Sequence, residues 1–314
     1  MEKIIVVAGA TGNIGTKIVD ALLANAPLGL EIRALVRKTS DTLKISSLEQ
    51  KGIKVFQINM HDKNEIAKAC LGASCVVSVL AGLEDTVIKA QKVLLDGALL
   101  AGVPRFIPSD FSTDFTRLSP GKNRNLDLRR EFHTYLDKAP IKATTIFNGA
   151  FMDLLTTDMP LILFKKKRIL SWGNSTIKMD FTTTLNVAEY TAKVALDDET
   201  PRYLRIAGDS ASTEDVRKIM TELSTSPYKL FRPGGISLLN AIIHIAKLFD
   251  RSKTELYPAW QGMQYMRDMM EGKAVLNHHD NLRYTMRWTG IKDYLILQGV
   301  EKSPISLSST HNAS

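Results

Sequence analysis

The first fifteen residues contain the feature that most constrains the fold of this chain. An apolar run at residues 4–8 leads directly into a glycine-rich loop, residues 9–15 (GATGNIG), and apolar residues then recur at helical spacing. Glycines at 9, 12 and 15 suit a tight turn from a strand into a closely packed helix. The free N–H groups at the helix start attract phosphate, so the segment predicts a dinucleotide site. The candidate residues are Gly9, Thr11, Gly12, Asn13, Ile14 and Gly15.

The first half of the chain alternates short apolar runs with helical patterns. The apolar runs cover 3–8, 31–36, 53–58, 74–79, 103–108 and 142–147. The helical patterns cover 13–25, 62–71, 86–101 and 124–138. This alternation predicts an α/β fold, a doubly wound parallel sheet of the Rossmann, NAD(P)-binding type with helices on both faces.

After about residue 150 the alternation decays, which predicts a smaller, mostly helical C-terminal substrate domain. We expect a Rossmann domain at 1–150 with a return segment near 180–208, and a substrate-binding domain made of 151–179 and 209–302. The polar, serine-rich segment 303–314 is typical of a disordered tail. Further helices are predicted at 186–198, 212–224, 236–249 and 258–270, and strands at 177–181 and 203–207.

The end of the second predicted strand indicates which dinucleotide binds. An acidic residue there would bond the adenosine 2′-hydroxyl, whereas a basic residue would accept a 2′-phosphate. This chain has Arg37 and Lys38 at that point. A guanidinium grips phosphate with two parallel hydrogen bonds, so the sequence favours NADP(H) over NAD(H).

Composition excludes several other classes of protein. The 314 residues carry a net charge of +8 that is spread along the chain, so no nucleic-acid surface is predicted. The two cysteines, Cys70 and Cys75, indicate neither a disulfide framework nor a zinc site. No apolar run is long enough for a membrane span, and we expect a soluble, cytoplasmic monomer or homodimer.

Four segments together resemble one family: residues 9–15, Val36-Arg37, residues 102–111 (GVPRFIPSDF) and residues 144–151 (TTIFNGAF). They are similar to the NmrA-like and isoflavone-reductase-like branch of the atypical short-chain dehydrogenases/reductases. The resemblance implies a Rossmann domain that binds NADPH and a C-terminal domain that closes a substrate cleft over the nicotinamide. It implies cofactor contacts by Asn59, Leu80, Ala81, Gly82, Ser109, Asp110, Phe111, Asn148 and Ala150. Asn59 stands where the family usually has an aspartate near the adenine.

The helix after Phe111 departs from the family pattern. Reductases of this branch carry a lysine at the position that Arg129 occupies here. Arginine does not deprotonate, so Arg129 is predicted to bind ribose hydroxyls or to stabilise an anion rather than to donate a proton. His133, one turn further along, is either a proton donor or a partly buried helix residue. The tyrosine and lysine pair of typical short-chain dehydrogenases is absent, because Tyr135 and Lys138 are three residues apart instead of four.

A methionine-rich and aromatic segment at 257–270 is the candidate substrate wall. Flexible methionines and aromatic rings suit an adaptable apolar pocket, although they also suit ordinary helix packing. His278-His279-Asp280 does not predict a metal site, because side chains of adjacent residues point in different directions. The basic run 165–168 is typical of a solvated turn. The candidate substrate residues are Phe111, Phe151, Tyr257, Trp260, Met263 and Met266.

The sequence leaves two functions from different classes open. One is an NADPH-dependent reductase that transfers hydride to a small apolar or aromatic carbonyl or activated double bond. The other is a non-catalytic NmrA-type sensor that binds NADP(H) and acts through a protein partner, which the replaced lysine favours. A sugar-nucleotide epimerase is disfavoured by the missing tyrosine and lysine pair.

Overall fold

The computed structural model describes residues 3–157, 161–250 and 254–300, and its largest element is a parallel sheet. The predicted tail at 303–314 lies outside the described residues. Six strands run in the order β3-β2-β1-β4-β5-β6, which confirms the doubly wound fold. They are β1 (Lys3–Ala8), β2 (Leu30–Arg37), β3 (Lys54–Ile58), β4 (Cys75–Ser78), β5 (Arg105–Ile107) and β6 (Lys142–Ala143).

Helices cover both faces of this sheet because each buries an apolar stripe. One face has a core with side chains from α1 and α6, and the other has a core with side chains from α3, α4 and α5. Ile18, Val19 and Leu22 show the spacing on α1, since all three are fully buried. The helices are α1 (Asn13–Ala24), α2 (Thr42–Gln50), α3 (Lys63–Cys70), α4 (Gln91–Leu100), α5 (Arg124–Leu136) and α6 (Thr184–Leu196).

Two local features differ from the sequence prediction. Helix α2 was not predicted, because Ile45 and Leu48 are its only buried residues and they make a weak apolar stripe. Its start is fixed by Asp41, whose side chain accepts the N–H of Leu43 at 2.8 Å. The predicted helix at 86–101 begins instead as a π-helical turn, Asp85–Ala90, that continues into α4.

The predicted strand at 142–147 is divided at Thr144. Its second part, β7 (Thr145–Phe147), pairs in parallel with β12 (Tyr203–Arg205). After α6 the chain therefore pairs with β7 in a two-stranded sheet that is separate from the six-stranded one. This is the segment in which the sequence placed a strand at 203–207.

Most of the remaining residues form a second lobe around another apolar core, which also includes Phe115, Leu126 and Phe147 from the first part of the chain. Its helices are α7 (Thr213–Leu223), α8 (Ile236–Phe249), α9 (Ala259–Met270) and α10 (Ile291–Leu297). It also contains two small three-stranded sheets that the sequence did not predict in full. Their strands are β8 (Ala150–Phe151), β11 (Met179–Thr182) and β13 (Asp209–Ala211), and β9 (Ile162–Leu163), β10 (Arg168–Leu170) and β14 (Lys229–Phe231).

The basic run predicted as a turn at 165–168 forms the turn between β9 and β10 only as far as Lys167, because Arg168 is already the first residue of β10. Lys165 and Lys166 are exposed, and Lys167 adopts a left-handed conformation with φ of 48° that reverses the chain. Among the described helices, none combines the length and the apolar character needed to cross a bilayer.

Candidate active site

The glycine loop is so tightly folded that no side chain fits at Gly9 or Gly15. Gly9 has φ of 90°, and a Cβ there would lie 2.9 Å from the carbonyl oxygen of Val79. A Cβ on Gly15 would lie 2.2 Å from the carbonyl oxygen of Gly9, which is closer than atoms can approach. Gly12 is the N-cap of α1, and no side chain caps that helix. The helix start therefore leaves backbone N–H groups free for an anion.

The other loop residues lie around this helix start. Asn13 is exposed, and its side-chain oxygen accepts a hydrogen bond from Lys17. Thr11 and Ile14 are half-buried, and Ile14 packs against the core beneath the sheet. Cofactor contacts by these three residues stay a prediction.

Arg37 and Lys38 lie at the carboxyl end of β2, and they differ in whether a carboxylate pairs with them. Lys38 forms an ion pair with Glu65 at 3.2 Å, and that carboxylate also accepts the N–H of Asn59 at 2.6 Å. The hydrogen bond from Asn59, together with Lys38, lowers the pKa of Glu65. Arg37 is exposed, and within the described ranges no hydrogen bond or ion pair engages its guanidinium. Arg37 is thus the freer of the two cations to bind a phosphate.

The residues predicted after β4 and β5 meet at the same edge of the sheet as the glycine loop. Val79 touches the loop, and Leu80, Ala81 and Gly82 follow it directly. Ser109 follows β5, and its N–H donates to Gln91 Oε1 at 2.8 Å in the interior. The carboxyl ends of parallel strands are where open sheets of this type bind ligands.

Asp110 is fully buried just after β5, with its two carboxylate oxygens in different surroundings. Oδ2 accepts from His133 Nε2 at 2.6 Å and from the Thr145 hydroxyl at 2.9 Å, whereas Oδ1 has no partner. Burial raises the pKa of Asp110, but the electrostatic interaction and hydrogen bond with His133, followed by the charge of Arg129 and the Thr145 hydroxyl, outweigh it, so the pKa lies below its usual value. Asp110 is therefore an ionised group with one free acceptor.

His133 is buried behind this carboxylate. Its Nδ1 lies 3.1 Å from Arg202 Nη2, and because a guanidinium only donates, Nδ1 must be the acceptor. The proton is then on Nε2, which donates it to Asp110. The ring also packs edge-on against Phe115 at 4.9 Å between centroids. Both ring nitrogens are thus engaged within the protein, so this environment matches the buried-helix alternative and gives His133 no free position for proton donation.

A cavity of about 480 Å³ opens beside these residues, between the edge of the main sheet and α9. Phe111, Phe151, Tyr257, Met263 and Met266, all predicted from the sequence, line it. Arg129 and Ala150 line it as well. The other lining residues are Ser112, Thr113, Gly149, Leu154, Pro258, Ala259, Gly262, Tyr265 and Met269.

Trp260 does not line this cavity. Its ring is buried between two cations, with the Arg124 guanidinium 4.7 Å and the Lys247 ammonium 4.8 Å from the ring centroid. Its Nε1–H donates to Asp250 at 2.5 Å. Trp260 therefore packs α9 against α8 and the start of α5, on a side of the helix that spacing alone did not identify.

Arg129 and Asn148 carry unpaired buried polar atoms. Arg129 donates from Nη1 to the carbonyl oxygen of Asn125 at 2.9 Å, while its Nε is buried without a partner. Asn148 is fully buried, and its Oδ1 also lacks a partner. Buried polar atoms are nearly always hydrogen-bonded, so such atoms beside a cavity point to a ligand that completes them.

Buried polar contacts fix α9 over the cavity. Asn123, the N-cap of α5, donates to Asp268 Oδ2 and accepts from Gln261 Nε2, each at 2.8 Å. Arg267 donates to the carbonyl oxygen of Lys122 at 2.8 Å. These contacts join the helix that carries Arg129 to the helix that carries the methionines. No local pattern predicts them, because their partners are more than 130 residues apart.

Two other places in the structure lack the features of an active site. A shallow depression of about 590 Å³ lies beside Arg105 and Lys142, the first residues of β5 and β6, which is the edge opposite to the glycine loop. His279 lies 3.1 Å from Asp180, but across the described ranges no three metal-ligating side chains cluster together.

Comparison with known proteins places the chain in a family. The model of the NmrA-like family matches residues 1–257. The chain belongs to the NmrA-like family. Pinoresinol reductase 1 of Arabidopsis thaliana is 27% identical to this NmrA-like protein over 215 residues, which is 62% of this chain and 65% of that protein. The chain thus aligns with slightly less than two thirds of that relative's length.

Solved structures agree on the fold of this NmrA-like protein. AtPrR2 with NADP+ and (+)pinoresinol has a TM-score of 0.79 at 21% identity, and the match covers 95% of this chain and 99% of that one. The binary complex of leucoanthocyanidin reductase and NADPH from Vitis vinifera has a TM-score of 0.76 at 16% identity, covering 95% and 100%. The expectation of a Rossmann fold with a largely helical C-terminal part is confirmed.

Proposed function

We propose that this NmrA-like protein is an NADPH-dependent reductase of a small apolar or aromatic acceptor, a carbonyl or an activated double bond. The observation that carries the proposal is the cavity beside the glycine-loop edge, with aromatic and methionine side chains on its walls and Arg129 among them. Such a cavity suits the binding of a small acceptor, whereas a sensor that only binds a dinucleotide does not require one. Relatives with reductase names support the same choice.

The residues present fit NADPH on structural grounds. The loop at Gly9 and Gly15 admits no side chain and ends at an uncapped helix, as a pyrophosphate requires. Arg37 is free to take the 2′-phosphate. Asp110 Oδ1 and Asn148 Oδ1 are unpaired acceptors where the ribose and nicotinamide are expected from the family resemblance. Solved relatives hold NADP+ or NADPH.

NADPH, when bound, supplies the hydride, and the protein must then manage the negative charge that develops on the acceptor. Arg129 stabilises that charge, since its guanidinium stays protonated. Tyr265 lines the same cavity, and burial raises its pKa to about 12, so its hydroxyl keeps its proton at neutral pH and can donate a hydrogen bond. His133 holds Asp110 in place and acts as a positioning residue.

A two-step experiment tests the proposal. Purified protein is titrated by calorimetry with NADPH, NADP+, NADH and NAD+, and the NADPH complex is then incubated with aromatic carbonyls and enones while the reduced nicotinamide is followed by absorbance. We expect preferential binding of the phosphorylated cofactors, NADPH first, and acceptor-dependent oxidation. Tight NADP+ and NADPH binding with no oxidation by any acceptor, together with a co-purifying protein whose binding depends on the cofactor, would support the sensor instead.

A further inference from the structure

Arg129 differs from every other residue of the cavity wall. Of the lining residues in the described chain, it is the one with a charged side chain, and the others are apolar, aromatic, hydroxyl-bearing or glycine. A cation in such surroundings loses much of its hydration. Burying the cation there therefore costs free energy unless an anion or several hydrogen-bond acceptors replace the lost water.

The hydrogen bonds of Arg129 leave most of its capacity unused. A guanidinium has five N–H donors in a planar fork. The donation from Nη1 to Asn125 is its one hydrogen bond within the described ranges, and Nε is buried and unpaired. No ion pair of the described chain includes Arg129, whereas Arg130, its neighbour on α5, pairs with Asp127 at 2.5 Å. Within the described ranges, most N–H donors of this guanidinium therefore have no hydrogen-bond acceptor from the protein.

Asp110 does not accept from these donors. The charge of Arg129 contributes to the lowered pKa of the Asp110 carboxyl, but no hydrogen bond or ion pair within the described ranges joins the two side chains: Oδ2 is bonded to His133 and Thr145, and Oδ1 has no partner. Thr113, also on the cavity wall, has a buried hydroxyl without a partner and can donate alongside the guanidinium. The cavity therefore presents unused donors of hydrogen bonds within an apolar wall.

Resting on the proposed function, we infer that the substrate carries a carboxylate on its aromatic or apolar body and that Arg129 binds this carboxylate. A carboxylate matches the guanidinium fork with two parallel hydrogen bonds, and it engages the donors that Asp110 leaves without a hydrogen bond. The aromatic and methionine walls hold the apolar body. Arg129 is thus a specificity-determining residue that selects acidic substrates over neutral analogues of the same shape.

The test compares two probes of equal shape, trans-cinnamate and trans-cinnamamide, bound to the protein saturated with NADP+ so that no turnover occurs. Charge-assisted hydrogen bonds predict that cinnamate binds about 10- to 100-fold more tightly than cinnamamide. Arg129→Met, which keeps the apolar stem, should abolish this preference. Arg129→Lys keeps the charge without the fork and should retain part of it.

Lys138→Met is the matched control, because it removes one positive charge from an exposed residue just beyond the same helix. It should leave the preference for cinnamate unchanged. If Arg129→Met proves unstable in thermal unfolding, Arg129→Gln makes the same comparison.

Three results would overturn the inference: equal binding of the two probes to the unaltered protein, a preference that persists in Arg129→Met, or a loss of NADPH affinity in Arg129→Met as large as the loss of cinnamate affinity. The last would make Arg129 a cofactor ligand. Failure of the proposed function is recognised separately, because it appears as absent NADPH binding or absent turnover, whereas the probe preference is also measurable on the cofactor-free protein.

Discussion

His133 Nε2 donates to Asp110 Oδ2 at 2.6 Å, and this hydrogen bond joins α5 to the end of β5 in the interior of the protein. The side chain of Asp110 is fully buried and that of His133 nearly so. Arg202 continues the network from the other ring nitrogen to Asp137, with which it pairs at 2.8 Å. A buried carboxylate is thereby held beside the cavity wall, with one oxygen left free.

We predict that His133→Leu destabilises the protein strongly. The substitution keeps the residue apolar and compact but leaves the Asp110 carboxylate with Thr145 as its remaining hydrogen-bond donor. Removing a hydrogen-bond donor from a buried ionised carboxylate costs about 3 kcal/mol. Urea unfolding measures the loss, and the double variant with Asp110→Leu should recover part of it. A loss within the error of the measurement would show that the pair is not a structural element.

The Asp110 carboxylate should make the free energy of unfolding depend on pH in the acid range. The pKa of Asp110 in the folded protein lies below the value of about 3.9 that an unfolded aspartate has. The stability that it contributes is therefore complete above about pH 4 and is lost as the pH falls through the folded pKa. The melting temperatures of the unaltered protein and of Asp110→Asn, measured from neutral to acid pH, should converge on acidification. A constant difference between them would contradict this assignment.

Substitution by alanine should be harmful at one helical glycine and stabilising at another. A Cβ at Gly15 would lie 2.2 Å from the carbonyl oxygen of Gly9, so Gly15→Ala must distort the loop and weaken NADPH binding. A Cβ at Gly262 on α9 meets no atom within 4 Å, so Gly262→Ala should stabilise the helix by up to about 1 kcal/mol. Cofactor titration and thermal unfolding of both variants make the comparison. Unchanged NADPH affinity in Gly15→Ala would show that the loop does not bind the cofactor.

Arg37 and Lys38 should contribute unequally to the choice of cofactor. Arg37 is unpaired within the described ranges, whereas Lys38 is partly neutralised by Glu65 at 3.2 Å. A charge-assisted hydrogen bond accounts for about 1.5–3 kcal/mol, so Arg37→Ala should weaken NADPH binding about 10- to 100-fold and leave NADH binding unchanged. Lys38→Ala should have a smaller effect in the same calorimetric titration. Equal weakening of NADPH and NADH by Arg37→Ala would contradict a contact with the 2′-phosphate.

The candidate site was partly readable from the sequence. The glycine loop, the cations after β2 and the methionine-rich segment are local patterns, and each predicts its chemistry from spacing within a few residues. Leu154 and Thr113 were missed because nothing local distinguishes a residue that lines a cavity from one that packs a core, and Tyr265 lay in the candidate segment 257–270 without being singled out. Trp260 was predicted at the substrate for the same reason and instead lies between Arg124 and Lys247.

The sequence by itself determined the doubly wound sheet, because the spacing of its apolar residues distinguishes buried strands from amphipathic helices along the first half of the chain. It also determined where the glycine loop lies, since only glycine tolerates the close approach of Gly15 to Gly9. The tertiary structure alone decided the roles on α5. Arg129 and His133 are one turn apart, yet one lines the cavity and the other is buried against Asp110. That division depends on contacts with distant residues, which no local pattern encodes.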